Sequence, residues 1–183
     1  MGTHKEFEMI LARHCAPTLA GKKPASLVSF NTTRVEAEKW LFWYTRGMEK
    51  RGLRFYELCD CKDRMLVLVY HEKLLKRTLR KPNVRAYLYG CGYKETSFEA
   101  MLRHLALRVR ECEKFPHEIG LFLGYPLSDV LGFIRHRGKN YKLAGPWKVY
   151  AGKRKAQKLF ASYRDCKCAF DELILNGKTI MSY

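Results

Sequence analysis

A continuous apolar run, Met65 to Val69, constrains the fold more than any other feature of this chain. It lies within RMLVLVY at 64 to 70 and follows a second strand-like stretch, LRFYELC, at 53 to 59. The connection Asp60-Cys61-Lys62-Asp63 is polar and short enough for a hairpin. Successive side chains of a strand point to opposite faces, so a strand apolar at every position must be covered on both sides. The expected fold is therefore α+β: a small mixed or antiparallel sheet of about four strands, near 27–30, 53–59, 64–70 and 147–150, covered by five to seven helices. With 183 residues, 47% of them hydrophobic, the chain is long enough to form one domain with a real core.

The helices have recognisable starts and stops. Residues 5 to 14 read as an amphipathic helix that ends before Pro17, since the residue before a proline avoids helical geometry. Thr33-x-x-Glu36 is a capping box, and the helix it opens runs to about Arg51, where Gly52 ends it. Within it, Trp40-Leu41-Phe42-Trp43-Tyr44 covers so much of the circumference that burial on two sides is expected. Glu72 to Arg80 reads as a basic helix. Thr96-x-x-Glu99 opens another, striped by Phe98, Met101, Leu102, Leu105, Val109 and Cys112. A last helix covers about Lys153 to Tyr163, with Ala156, Leu159, Phe160 and Tyr163 inward.

The densest specification lies in FPHEIGLFLGYPLSDVLGFI, Phe115 to Ile134. Pro116 and Pro126 suit first helical positions, and Gly124 suits the left-handed residue after a helix end. Leu127, Val130, Leu131 and Ile134 repeat at helical spacing, which predicts one buried face. His117 and Glu118 fall in a first turn, where the helix dipole favours an anionic Glu118 and a neutral His117. Capping and one structural hydrogen bond would be their plainest roles.

Composition narrows the function classes. The net charge of +17 would attract nucleic acid, an anionic membrane surface or an acidic protein. No apolar run approaches the roughly 20 residues of a transmembrane helix, and no signal peptide or myristoylation pattern is read at the N-terminus. Seven cysteines in a chain of this size, without an export signal, read as reduced thiols in a cytoplasm. Cys59-x-Cys61 and Cys166-x-Cys168 would supply four thiolates to a metal if they met, although zinc sites usually use wider spacing. Arg135 to Lys158 holds nine Lys or Arg and no Asp or Glu. Arg135, Arg137, Lys139, Lys142, Lys153, Arg154 and Lys155, interleaved with Tyr141, Trp147 and Tyr150, make a candidate single-stranded nucleic-acid surface. The alternation Trp147-Lys148-Val149-Tyr150 also fits a strand with Trp147 and Val149 inward. The P-loop, dinucleotide-binding, zinc-protease and serine-hydrolase motifs are all absent.

Three stretches together resemble an uncharacterised bacterial family, domain-of-unknown-function family 3793, known mainly from anaerobic Firmicutes. They are His14-Cys15-Ala16-Pro17-Thr18-Leu19-Ala20-Gly21 with Lys23-Pro24-Ala25; Phe115 to Gly120 with Gly124-Tyr125-Pro126-Leu127, Asp129-Val130 and Gly132-Phe133-Ile134; and Gly145, Trp147 to Tyr150, Ala156, Phe160 and Tyr163. Pro146 departs from the pattern, where an aromatic is expected. The resemblance implies no activity, cofactor or substrate, but it focuses attention on His14-Cys15 and His117-Glu118. If these pairs met, they would form a cleft for a small ligand, cofactor or metal. Lys23, Tyr125, Lys148 and Tyr150 would complete the binding set, three of them (Lys23, Lys148, Tyr150) as an anion clamp. A further alternative is a Cys-dependent enzyme, with Cys15 as nucleophile, His117 as base and Glu118 orienting it. Equally, both signatures can be packing and capping motifs around one core.

Overall fold

The computed structural model describes residues 4–30, 34–61, 64–95, 97–111 and 115–183, with backbone alone at 34–38 and 60–61. Thr33, Thr96 and Cys112 lie outside these residues, as does the side chain of Glu36. The order is α1 (His4–Leu19), β1 (Ala25–Phe30), α2 (Arg34–Met48), β2 (Leu53–Cys61), β3 (Arg64–His71), α3 (Glu72–Leu79), α4 (Pro82–Gly90), α5 (Phe98–Glu111), α6 (Ile119–Phe122), α7 (Leu127–Arg135), β4 (Leu143–Ala144), β5 (Lys148–Val149) and α8 (Lys153–Leu175). The class is α+β, as expected.

β3 is the centre of a three-stranded antiparallel sheet ordered β1-β3-β2. Its alternation explains the unbroken apolar run. Met65, Val67 and Val69 enter one apolar cluster with α1, α2 and α8, while Leu66, Leu68 and Tyr70 enter a second with α3 to α7. Both faces are thereby removed from water, each fully buried Val or Leu contributing roughly 1.5–3 kcal/mol. β2 changes register at a bulge between Glu57 and Cys59.

Five expectations are corrected. The fourth strand does not join the sheet: Lys148–Val149 pairs with Leu143–Ala144 in a separate two-stranded ladder. It stops after two residues because the next amides, Tyr150 N and Ala151 N, donate to the Asp129 carboxylate at 2.8 and 2.9 Å. Eight α-helices are present among the described residues rather than five to seven. The stretch around Val84 to Tyr89 forms α4, opened by Pro82 at its first turn. α1 also runs through Pro17 to Leu19, since a proline in the last turn disturbs only one preceding carbonyl. The Pro17 carbonyl then accepts from Lys22 N and Lys23 N at 2.8 and 3.0 Å, turning the chain into β1.

The fifth correction concerns buried faces. Of the five residues Trp40 to Tyr44 in α2 only Tyr44 is fully buried, whereas Phe42 is 64% and Trp43 46% exposed, so that stretch is covered on one side. In α7, Leu131 and Ile134 are exposed and the inward positions are Asp129 and Val130. α7 is turned by Gly132, where an added Cβ would lie 2.4 Å from the Tyr150 ring; only a hydrogen there lets the ring seat. α8 continues well past Tyr163, its inward stripe extended by Cys166 and Phe170. Near its end, the buried Glu8 carboxylate of α1 accepts from Ile180 N at 2.6 Å and from the Thr179 hydroxyl, tying the C-terminal segment down.

Candidate functional site

His14 and Cys15 are neighbours in sequence but roughly 100° apart around α1. Cys15 points into the core and has no exposed surface. Burial pushes its thiol up to about 12. A nucleophilic or metal-binding cysteine needs a thiolate at neutral pH, and this environment opposes one. His14 turns outward. Its pKa is lowered, first by burial and then by the positive charges of Arg13 and Lys167, so it is neutral at pH 7.

His14 lines a cleft of about 610 Å³ between α1, the entry to β1, the β4–β5 hairpin and α8. Arg13, Lys23, Arg164 and Lys167 also line it, and no Asp or Glu among the described residues does. Lys23 is half-buried. Burial holds its amine down to about 8. The amine lies 3.5 Å from the Ser26 hydroxyl, which is itself 2.9 Å from that of Thr18, and 5.8 Å above the Tyr125 ring. No described carboxylate pairs with it. Lysine is seldom buried without a counter-ion. The cleft therefore holds four cations and a neutral imidazole around a space that lacks negative charge.

His117 lies elsewhere. It lines a second cavity of about 550 Å³, walled by Phe115, Ile119, Val130, Phe133 and Trp147, with its ring 5.3 Å from Phe133. Glu118 is buried and points away, accepting from Arg108 Nε at 3.0 Å. Beside it, Tyr93 and Tyr87 are both held well above the ordinary tyrosine range, burial being the larger cause. His117 and Glu118 thus do not act as a pair. Glu118 also does not cap α6, since its side chain makes no capping bond there.

Tyr125 and Trp147, stacked at 4.9 Å, line the second cavity, and their rings reach Lys23 and Phe160 in the lining of the first. Trp147 is fixed by its indole N–H, which donates to Asp129 at 2.8 Å, and by Phe160 edge-on at 4.6 Å. The Tyr125 hydroxyl donates to the Pro146 carbonyl at 3.2 Å, so the departing residue of the third stretch serves as an acceptor in the cleft wall. Gly145 lets Phe160 approach: an added Cβ would be 2.4 Å from that ring. The inward and outward sides of β5 fall as the alternation predicts, Trp147 and Val149 being buried. Lys148 donates to the Gly138 carbonyl at 2.8 Å and lies over Phe133 and Tyr141, while Tyr150 stacks on His136. Of the predicted binding set, the cleft gathers His14 and Lys23 against Tyr125. Cys15, His117, Glu118, Lys148 and Tyr150 are not part of it.

Cysteine chemistry is also redistributed. Cys59 is disulfide-bonded, against the expectation of thiols throughout, because a thiol's pairing cannot be read from spacing alone. Cys15, Cys91, Cys166 and Cys168 are free. Cys166 is buried in the core and Cys168 exposed, so this C-x-C pair does not converge. The Cys61 side chain lies outside the described residues. Among those residues no group of three His, Cys, Asp or Glu is placed to hold a metal ion. No helix among them is long and apolar enough to cross a membrane.

The basic stretch 135 to 158 spans the end of α7, the hairpin and the start of α8. Arg135, Arg137, Lys139, Lys142, Lys153, Arg154 and Lys155 are exposed, but of the interleaved rings only Tyr141 is. A second cationic surface, Lys73, Lys76, Arg77, Arg80 and Lys81, surrounds a shallow hollow of about 450 Å³ on α3.

Sequence reading missed Arg13, Arg164 and Lys167. The last two sit at i and i+3 beside the Phe160–Tyr163–Cys166–Phe170 stripe, so the signal appears once α8 is extended. Comparison with known proteins gives one match: a family model described as "Protein of unknown function (DUF3793)" covers residues 11–182. No curated protein and no solved structure matches.

Proposed function

The chain belongs to the DUF3793 family, whose function is unknown, and we propose that it binds a small anionic ligand in the cleft among Arg13, His14, Lys23, Arg164 and Lys167. One observation carries this reading: a cavity of about 610 Å³ lined, among the described residues, by four cations and no carboxylate, with no described carboxylate paired to the half-buried Lys23. An anion would relieve the mutual repulsion of these groups and raise the pKa of Lys23. Charge-assisted bonds from the arginine forks and the Lys23 amine would orient it, and the Ser26 hydroxyl would add a neutral donor. The test is calorimetric titration with sulfate at low ionic strength. Saturable binding is expected, abolished in the Lys23→Met/Arg164→Met double variant and kept in Lys153→Met/Arg154→Met, which alters exposed cations outside the cleft lining. Equal loss in both variants would mean diffuse surface attraction and would overturn the cleft.

A second reading has its own observation, the all-cationic hollow on α3. It supports a polyanion surface, with nucleic acid as its occupant and the exposed cations of 135 to 158 as a further contact. Oligonucleotide affinity should then fall steeply with salt, by a slope of roughly one per phosphate neutralised. A flat salt response would remove this reading.

A further inference from the structure

The cleft has a neighbour. Arg13, His14 and Lys167 line it, and the same three residues line a neighbouring trough of about 790 Å³. The trough runs between α1 and α8, from this shared rim towards Glu6 on one helix and Leu175 on the other. Eight residues separate His14 from Glu6 and eight separate Lys167 from Leu175, which gives a length of ~12 Å at the rise of an α-helix. Its walls are Met9, Ile10, Phe30, Trp40, Ile174 and Leu175. Met9 and Leu175 are strongly exposed, an apolar surface that water covers in the free protein.

The two spaces therefore adjoin across a shared rim, one cationic and the other walled largely by apolar side chains. Its polarity is fixed by the acidic groups. Glu6 and Asp171 line the trough and none lines the cleft. Two cations offset the two carboxylates in the first, whereas the second has four cations and no described carboxylate, so an anionic head is drawn to the second.

We infer that the ligand of the cleft is a single-chain amphiphile, with an anionic head group among Arg13, Lys23, Arg164 and Lys167 and an unbranched apolar chain along the trough. The inference rests on the anion-binding reading of the cleft and adds the chemistry of the ligand's other end. A free monomeric chain is the occupant, since the trough runs lengthwise between two helices and would take one chain at a time.

The experiment is titration of the full chain with acetate, hexanoate, octanoate and decanoate below their aggregation limits, beside sulfate as a head-group probe. Each added methylene that enters the trough should tighten binding about fourfold, the ratio given by ~0.8 kcal/mol per buried CH₂. Met9→Glu, at an exposed position on the trough, should flatten this dependence while sulfate binding stays unchanged. Alkanoates that bind no better than acetate, with sulfate binding intact, would overturn the amphiphile and leave the anion cleft standing. Failure of sulfate as well would remove both. A chain-length gain that persists in Lys23→Met/Arg164→Met would show apolar adsorption without a head-group site, and binding seen only on anionic vesicles would show a surface instead of a cavity. Either result also overturns the inference.

Discussion

His14 and His117 stand beside two different cavities, and their surroundings are satisfied to opposite degrees. Around His117 the charges are answered within the chain. Glu118 has Arg108, Asp129 has three donors, and Lys148 has a carbonyl and two rings. Around His14 four cations face a space with no carboxylate among the described residues. The difference teaches how to weigh a sequence signature. Residues whose partners are all present are holding the fold together. Residues whose partners are missing point to something that arrives.

Substitutions should separate the two regions, and the largest effect is expected at Asp129. Its carboxylate accepts from Trp147 Nε1, Tyr150 N and Ala151 N, so Asp129→Ala leaves three donors without their acceptor. A loss of about 4 kcal/mol is expected in denaturant unfolding, from bonds to a charged group worth roughly 1.5–3 kcal/mol each less what water recovers. A loss under about 1 kcal/mol would break the comparison.

Gly132→Ala and Arg108→Ala come next, each at about 2 kcal/mol. The first drives a methyl into the Tyr150 ring. The second strands the buried Glu118 carboxylate, at a cost below that of a fully buried pair because Arg108 is two-fifths exposed. Both are read by the same unfolding measurement.

On the His14 side the expected pattern reverses. Lys23→Met should leave stability within about 0.5 kcal/mol of the parent, or raise it, because it removes a half-buried cation that no described carboxylate pairs with. It should weaken sulfate binding about tenfold by calorimetry. Parent-like affinity would show that the amine is not part of the site.

The subtlest effect is on pH. The folded pKa of Lys23, about 8, lies below its ordinary value of 10.5, so between these values the unfolded chain holds more protons. This group's contribution to stability therefore rises with pH across that window in the ligand-free protein. Sulfate affinity should run the other way, falling as pH rises through about 8, since binding needs the protonated amine. Sulfate keeps a fixed charge over this range, so an inflection that survives in Lys23→Met would belong to another group.

Much of the fold was legible because it rests on local periodicity. Met65 to Val69 announced a strand covered on both faces, and Trp147-Lys148-Val149-Tyr150 announced which side faces inward. What stayed hidden were tertiary choices. Nothing local says that the amides after Val149 go to Asp129, which ends the fourth strand and keeps it out of the main sheet. The length of α8 is hidden because the inward positions after Tyr163, Cys166 and Phe170, are sparse in a polar stretch.

The site was legible in part. Lys23 and His14 were visible as an anion clamp and its neighbour, but adjacency in sequence was misleading. A helix turns about 100° per residue, so Cys15 faces the core while His14 faces the cleft. His117 and Glu118 likewise diverge, one into an apolar cavity and the other onto Arg108.

The β4–β5 hairpin has one more consequence. A ladder of two residues per strand is far too short to persist alone, and it forms one wall of the cleft through Leu143 to Pro146. Its persistence is set by the Asp129 bonds and the Trp147 anchor, while the main sheet is held by two large apolar clusters. The hairpin should behave as a separate foldon, opening as a unit at a free energy below that of global unfolding. The amides of Tyr150 and Ala151, bound to one carboxylate, would then exchange with solvent together, and their common rate would be a clock for how often the rim of the cleft lifts away from α8.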